Sequence, residues 1–198
     1  MSQKSLQKIE SKERILNVAS RLFKKHGYAA TGIDQIMNEA GLTAGGFYAH
    51  FKSKTDLLEQ SIEHSLNNSR QLLIRDTEHL TGNEKIKTIM ARYISLLHRD
   101  LPEKGCILPA LASEIYRGTK NSNEIIGKYI IRWANFLAQN MTGPESQTKK
   151  NESALNLISQ AVGAVLLSRM VKESKLSDEI INSARQTTAS TDLTDAQT

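Results

Sequence analysis

Residues 31–54, TGIDQIMNEAGLTAGGFYAHFKSK, constrain the fold more than any other stretch of this chain. Thr31 and Asp34 have the spacing of a capping box, so a helix is expected to begin near Gly32. Ile33, Ile36, Met37 and Ala40 then recur at i, i+3, i+4 and i+7, one apolar stripe. Gly41 stands where a helix end needs a left-handed residue, and Leu42 supplies the apolar contact that follows it. Thr43 is placed to N-cap a second helix after a turn of about three residues, the geometry of a helix-turn-helix. Phe47 and Phe51, four residues apart, must both face inward. That leaves Ala44, Gly45, Tyr48 and, toward the edge, His50 facing outward. Ser53 and Asp56 repeat the capping-box spacing and start a further helix, with Lys54 in its first turn.

Small residues at the start of a helix, then a phenol and an imidazole, suit close approach to a nucleic-acid groove flanked by phosphates. Charge agrees. Residues 1–54 hold nine Lys/Arg against four Asp/Glu, whereas the rest of the chain, out of totals of 26 and 21, is balanced. All the excess positive charge therefore sits on the segment with the helix-turn-helix pattern, as a phosphate-binding face requires. Some of Lys4, Lys8 and Lys12 are expected only to solvate a mobile terminus, but Lys24, Lys25, Lys52 and Lys54 are not explained that way.

The stretch Thr43-Ala-Gly-Gly-Phe-Tyr-Ala-His-Phe-Lys-Ser-Lys54 resembles the recognition helix and following turn of the tetracycline-repressor (TetR) family of bacterial regulators. Arg14-Ile-Leu16, Ala19, Leu22-Phe23 and His26-Gly-Tyr28 resemble that family's first helix, and Ile33, Ile36 and Ala40-Gly-Leu42 its second. The specific likeness covers roughly residues 9–69; beyond it the resemblance is one of length and helical layout. It implies double-stranded DNA as partner, with Gln35, Thr43, Ala44, Gly45, Gly46, Tyr48, His50 and Lys54 at the interface. Tyr48, His50 and Lys54 are the expected phosphate contacts. The family often has a longer polar residue at the place of Ala44 and a hydroxyl at the place of Gly46. Base reading here is therefore expected to lean on Thr43, Gln35, thymine-methyl contact by Ala44 and DNA shape.

Past residue 54 the helical period persists almost throughout, and no strand pattern or repeat intervenes, so the expected class is all-α. Helices are expected from Ser53 to about His79, then through Ile86, Ile89, Met90, Tyr93, Ile94 and Leu97 without a gap, and from about Ile107 to Gly118. Others follow over Ser122–Met141, Glu152–Glu173 and Ser177–Arg185. The expected organisation is a helix-turn-helix domain over 9–69, a helical sensing and dimerisation domain over 80–186, and a disordered tail over 187–198, which lacks any apolar period.

The helix over 152–173 is apolar on nearly every side. Leu155, Ile158, Val162, Val165 and Leu166 are expected to face the protomer core, with Leu157, Ala161, Ala164, Leu167 and Met170 around the other sides. Either its own neighbours wrap it, or it packs with 177–185 on a second copy as a four-helix bundle. The second arrangement is preferred, because only one short helix and a tail follow it. The resemblance also implies a small-molecule effector. Met90, Tyr93, Leu97, Cys106, Leu111, Tyr116, Tyr129, Trp133 and Phe136 could line its cavity, although aromatic and Met residues at helical spacing are commonly plain core.

Other chemistries find no support. The five histidines form no HExxH pair and no Cys–His spacing, so neither metal nor cofactor is expected. Gly41, Gly45 and Gly46 follow no strand and precede no Gly-Lys-Ser/Thr, so they are not a phosphate loop. The competing reading is a helical small-molecule-binding protein or enzyme that does not bind DNA. A single cysteine excludes an intrachain disulfide and fits a reducing cytosol. With no apolar leader and no run long enough to span a bilayer, the expected location is cytoplasmic, away from membranes. Cys106 follows Gly105 at a helix start, where free N–H groups could activate a thiol, yet a small buried hydrophobe is the favoured role.

Overall fold

The computed structural model describes residues 2–172 and 174–190, and every regular element among them is helical. The helices are α1 (Gln3–His26), α2 (Ile33–Glu39), α3 (Lys54–Ile74), α4 (Gly82–Tyr93), α5 (Leu96–Asp100), α6 (Leu108–Tyr116), α7 (Lys120–Asn140), α8 (Gln147–Met170) and α9 (Lys175–Ser190). Two 3-10 segments, Ala44–Ala49 and Pro102–Lys104, complete the regular structure.

Among the described residues the chain divides into two compact units, with boundaries after Asn68, Leu101 and Ile126. The first unit therefore takes in 102–126 as well as the N-terminal helices. Its core gathers Ile15, Ala19, Leu22 and Phe23 of α1, Ile36 and Met37 of α2, Phe47, Phe51, Leu57 and Ile62, each nearly or fully buried. Burying each such side chain stabilises the unit by about 1.5–3 kcal/mol. Polar ties fasten 102–126 within this unit. Lys24 Nζ donates to the Gly105 carbonyl at 2.9 Å. The Glu114 carboxylate accepts from the Tyr28 and Ala29 amides at 2.9 and 3.3 Å. Glu59 accepts from Thr119 Oγ1 and from Asn121 Nδ2. The expected separation of 9–69 from 80–186 did not foresee this, because helical period carries no information on which helices meet.

The second unit packs α8 on α9, with α4 and α5 against that pair. Its core includes Ile86, Ile89, Met90, Tyr129, Trp133, Leu137, Ala154, Ala161, Val165 and Ile181.

Several expectations need correction. The helix expected to reach His79 stops at Ile74: Asp76 adopts a φ of 55°, and Arg92 Nη1 takes the carbonyls of Leu73 and Arg75. Asp is among the few side chains that tolerate this left-handed backbone. The stripe from Ile86 to Leu97 is not one helix. Ile94 leaves helical geometry, and Ser95 N-caps α5 by accepting from the His98 amide at 3.2 Å. The break turns Leu97 out to 69% exposure and buries His98, whose Nδ1 lies 2.7 Å from the Tyr93 carbonyl. The C-terminal helix runs one turn further than Arg185. Thr188 is buried and donates to the Ala184 carbonyl, so 187–190 belong to α9 rather than to a disordered tail. The remainder of that expected tail, 191–198, lies outside the described residues. α8 also begins earlier than Glu152, at Gln147, where Ser146 N-caps it by accepting from the Lys149 amide at 3.4 Å.

The faces of α8 agree with expectation at Ile158, Val165, Leu167 and Met170 and are exchanged at Leu155, Val162 and Leu166 against Leu157, Ala161 and Ala164. Ala154, Leu157, Ile158, Ala161, Ala164, Val165 and Ser168 are buried, while Leu155, Leu167 and Met170 are exposed and Val162 and Leu166 half-buried. Small residues allow α8 to approach its neighbours closely, and Ser177 Oγ, donating to the Ser168 carbonyl at 2.7 Å, pins α9 on that same side. The larger aliphatics are displaced to the outer stripe.

A candidate nucleic-acid interface

The turn after α2 forms as the residues dictate. Gly41 takes a φ of 68°, and Leu42 N–H closes on the Met37 carbonyl at 2.9 Å, so the end of α2 is satisfied by the backbone. Thr43 is extended and leads into Ala44–Ala49. That segment is 3-10 rather than the expected α-helix. Two glycines in its first turn weaken α-helix formation by roughly 0.5–1 kcal/mol each, and the segment is only six residues long. Phe47 and Phe51 are fully buried with ring centroids 5.7 Å apart, and they hold the segment on the core as anticipated.

Neither threonine acts as the cap its spacing suggests. Thr31 is buried and donates to the Gly27 carbonyl at 2.8 Å, so it closes the end of α1, leaving Gly32 as the uncapped start of α2. Thr43 occupies the N-cap position, but its hydroxyl makes no capping bond. The first amides of the recognition segment are thus available to an external acceptor. The Ser53–Asp56 box does form: Asp56 N–H donates to Ser53 Oγ at 3.0 Å, and the Asp56 carboxylate accepts from Lys52 N–H at 2.8 Å.

Gln35, Thr43, Ala44, Gly45 and Tyr48 all face solvent, with Tyr48 73% exposed and held edge-on against Phe47. Gly46 is half-buried. A Cβ on Gly45 would meet nothing within 4 Å, and one on Gly46 would make only ordinary contacts with Thr43 and Met37. Neither glycine has a positive φ. The protein's own packing therefore requires glycine at neither place, whereas close approach by a partner would.

Two expected phosphate contacts are less free than the sequence suggests. His50 is half-buried rather than outward, tilted on Phe51, and its Nδ1 is enclosed without a hydrogen-bond partner among the described residues. Burial, reinforced by Lys8 and Lys12, lowers its pKa and so favours the neutral ring. Lys54 lies over the Tyr28 ring, 4.4 Å from its centroid, and its pKa is lowered by burial against the opposing pull of Glu114. The ammonium remains charged at neutral pH, positioned beside the first turn of α3.

The residues considered for an effector do not form one group. Met90, Tyr93, Tyr129 and Trp133 are buried in the second unit, where Phe136 stacks on Trp133 at 5.1 Å. Cys106 and Leu111 are buried in the first unit, and Leu97 and Tyr116, at 69% and 81% exposure, line no interior of either. A cavity of about 240 Å³ in the second unit is lined instead by Lys87, Ala91, Arg185, Gln186, Thr188 and Ala189.

With this geometry in hand, the comparisons with known proteins are specific. Residues 15–60 match the family model described as bacterial regulatory proteins, tetR family. The chain is 35% identical over 105 residues to the HTH-type transcriptional regulator YerO of Bacillus subtilis, a match covering 53% of this chain but 36% of that protein. It is 28% identical over 170 residues to the HTH-type transcriptional regulator LmrA of the same organism, covering 83% of this chain and 89% of the relative. The crystal structure of a TetR-family transcriptional regulator from Cytophaga hutchinsonii superposes with a TM-score of 0.76 at 18% identity, covering 100% of this chain and 99% of that one, a likeness of fold. The helix-turn-helix signature, the similarity to named regulators and the shared all-helical fold agree: residues 15–60 carry the signature of the tetR family of bacterial regulatory proteins, and the chain as a whole is similar in sequence and fold to regulators of that kind.

Proposed function

We propose that the protein is a cytoplasmic, homodimeric DNA-binding transcriptional regulator, a repressor released from a palindromic operator by a small molecule. One observation carries the reading. Gln35, Thr43, Ala44, Gly45 and Tyr48 form an exposed face that internal packing does not use, on the segment bearing all of the chain's excess positive charge. Gln35 and Thr43 read base edges, Ala44 meets a thymine methyl, and the bare backbone at Gly45 and Gly46 lets the segment sit deep in the groove. Tyr48, His50 and Lys54 bind phosphate, with His50 acting as a neutral donor.

The outer face of α8 supports the same reading. Leu155, Leu167 and Met170 are exposed on the outer side of α8 with Val162 and Leu166 half-buried beside them, and Leu176 on α9 is also exposed. A second copy packed on this face buries it and presents two recognition segments to half-sites one helical turn, about 34–36 Å, apart. The functional division remains 9–69 for DNA and 80–186 for sensing and dimerisation, with Met90, Tyr93, Tyr129, Trp133 and Phe136 as the apolar side of the effector site. No helix among the described residues is long and apolar enough to cross a membrane.

The test is a selection of random duplexes by the purified full chain, followed by mobility shifts. Enrichment of an inverted repeat, bound at a stoichiometry of protein dimers, is the expected result. Recovery of no sequence over several rounds would remove DNA from the function.

A further inference from the structure

The inner face of α1 changes character along its length. From Ile15 to Phe23 it is apolar and buried, carried by Ile15, Ala19 and Leu22. Followed back by steps of three and four residues, the same face presents Lys12, Lys8 and Lys4. The helix is continuous there. It runs from Gln3 with Ser2 as N-cap, accepting from the Ser5 amide at 3.3 Å, so the lysines belong to a formed helix and not to a mobile terminus. Lys4 and Lys8 are exposed and Lys12 is half-buried, and none of the three makes an ion pair with a described residue.

This cationic half lies beside the recognition segment. Lys12 Nζ is 5.7 Å from the Phe51 ring centroid, and both Lys8 and Lys12 act on the His50 imidazole. The first turn of α1 holds no acidic residue, although its N-terminal amides would favour one. Lys4 there opposes the helix dipole, and no ion pair with a described residue offsets the penalty. The recognition segment, in turn, is short of charge: burial favours the neutral form of His50, and Lys54 is partly engaged with Tyr28.

We infer that Lys4, Lys8 and Lys12 form a second DNA-backbone contact, a rail that binds the phosphates flanking the stretch read by the recognition segment. The inference rests on the DNA-binding reading and extends its footprint outward. Lys4 to Lys12 spans about 12 Å of helix. A DNA strand carries one charge per about 3.4 Å of axis, so a rail of this length faces several phosphates. Because these are backbone contacts, they add affinity and salt dependence without reading sequence.

The experiment compares the full-length wild type with the triple variant Lys4→Gln, Lys8→Gln, Lys12→Gln. Each binds two duplexes made from the sequence that wild type selects: one trimmed to the selected motif, and one extended by about half a helical turn at each end. Lys4 and Lys8 are exposed and Lys12 is half-buried with only its ammonium over Phe51, so the thermal midpoint should fall at most slightly. On the extended duplex, the variant's log–log salt slope should be shallower by about two to three per protomer, with affinity lower by at least about tenfold. On the trimmed duplex the two proteins should bind nearly alike. Equal binding on both duplexes, or an equal loss on both, would overturn the rail while leaving DNA recognition intact. If wild type selects no sequence at all, the DNA-binding reading and the rail fall together.

Discussion

The recognition segment and the outer face of α8 are both left to solvent by the chain's own packing, and they differ in kind. The first is built of small residues, a phenol and nearby cations, on a short 3-10 turn held by two buried rings. The second is a stripe of Leu, Val and Met along a helix of 24 residues. Each is more costly to the isolated protomer than an ordinary surface, one through helix-weakening glycines and the other through exposed apolar area. The kind of cost indicates the kind of partner. Glycines admit a groove wall and a phosphate backbone, whereas aliphatic area is offset only by burial against more aliphatic area.

The largest effect should come from breaking the second surface. Leu167→Glu with Met170→Glu places charge on side chains that are exposed in the protomer, so each protomer should keep its fold and helicity. Sedimentation should show the mass halved, and operator affinity should fall by about a hundredfold or more, because two half-sites are no longer engaged together. A dimer that survives this double substitution would move the interface elsewhere.

Next comes a test of why the glycines are there. Gly45→Leu meets open space in the protein, so thermal stability should hold or rise slightly. On DNA the same side chain would collide with the groove, and affinity should drop by about tenfold to a hundredfold, on the scale of a lost base contact. Loss of stability together with loss of binding would show that Gly45 serves the fold instead.

How far this was legible in the sequence follows from the same contrast. Gly41, Leu42, the Phe47–Phe51 pair and the Ser53–Asp56 box were all readable, because each is a local device whose partner lies within five residues. Thr31 misled because its hydroxyl had two local options. It took the Gly27 carbonyl at the end of α1 over the start of α2, a choice set by its burial. Ser95 misled for a longer-range reason. A serine in an apolar stripe can continue a helix or cap a new one. Here the break is supported by Arg169, whose Nε donates to the Arg99 carbonyl at 3.1 Å, and by Arg99 pairing with Asp100 and Asp178. Arg169 and Asp178 lie about seventy residues or more downstream, beyond any local pattern. The faces of α8 were unreadable for a related cause: a helix apolar on all sides has no period from which to choose.

A smaller effect is expected at Lys54. Lys54→Ala should weaken specific and non-specific DNA alike and make the salt slope shallower by about one per protomer. Removing its contact over Tyr28 should also lower stability slightly, by about 0.5–1 kcal/mol. An unchanged slope would put the ammonium away from the backbone and leave it a structural partner of the Tyr28 ring.

The smallest effect concerns pH, and it acts only within the first unit. His50 and His64 both have pKa values lowered from the ordinary 6.5, in each case chiefly by burial. Lys8 and Lys12 add to this at His50; at His64, Glu13 opposes it and Lys24 adds to it. His64 Nε2 also lies 2.8 Å from Asn17 Oδ1 and from Asn68 Nδ2, and it serves one of them at a time: as an N–H it donates to Asn17, as a lone pair it accepts from Asn68. A group whose folded pKa lies below its unfolded one contributes stability above the unfolded value and loses it as pH falls through the folded value. The urea midpoint of the wild type should therefore hold near neutrality and decline modestly as the pH falls below about 6.5, the unperturbed histidine value. In the double variant His50→Gln, His64→Gln that decline should flatten, leaving the carboxylates to set any remaining acid sensitivity. A wild-type midpoint that rises over the same window would mean that protonated histidine is favoured in the folded state, contrary to the burial seen at both rings.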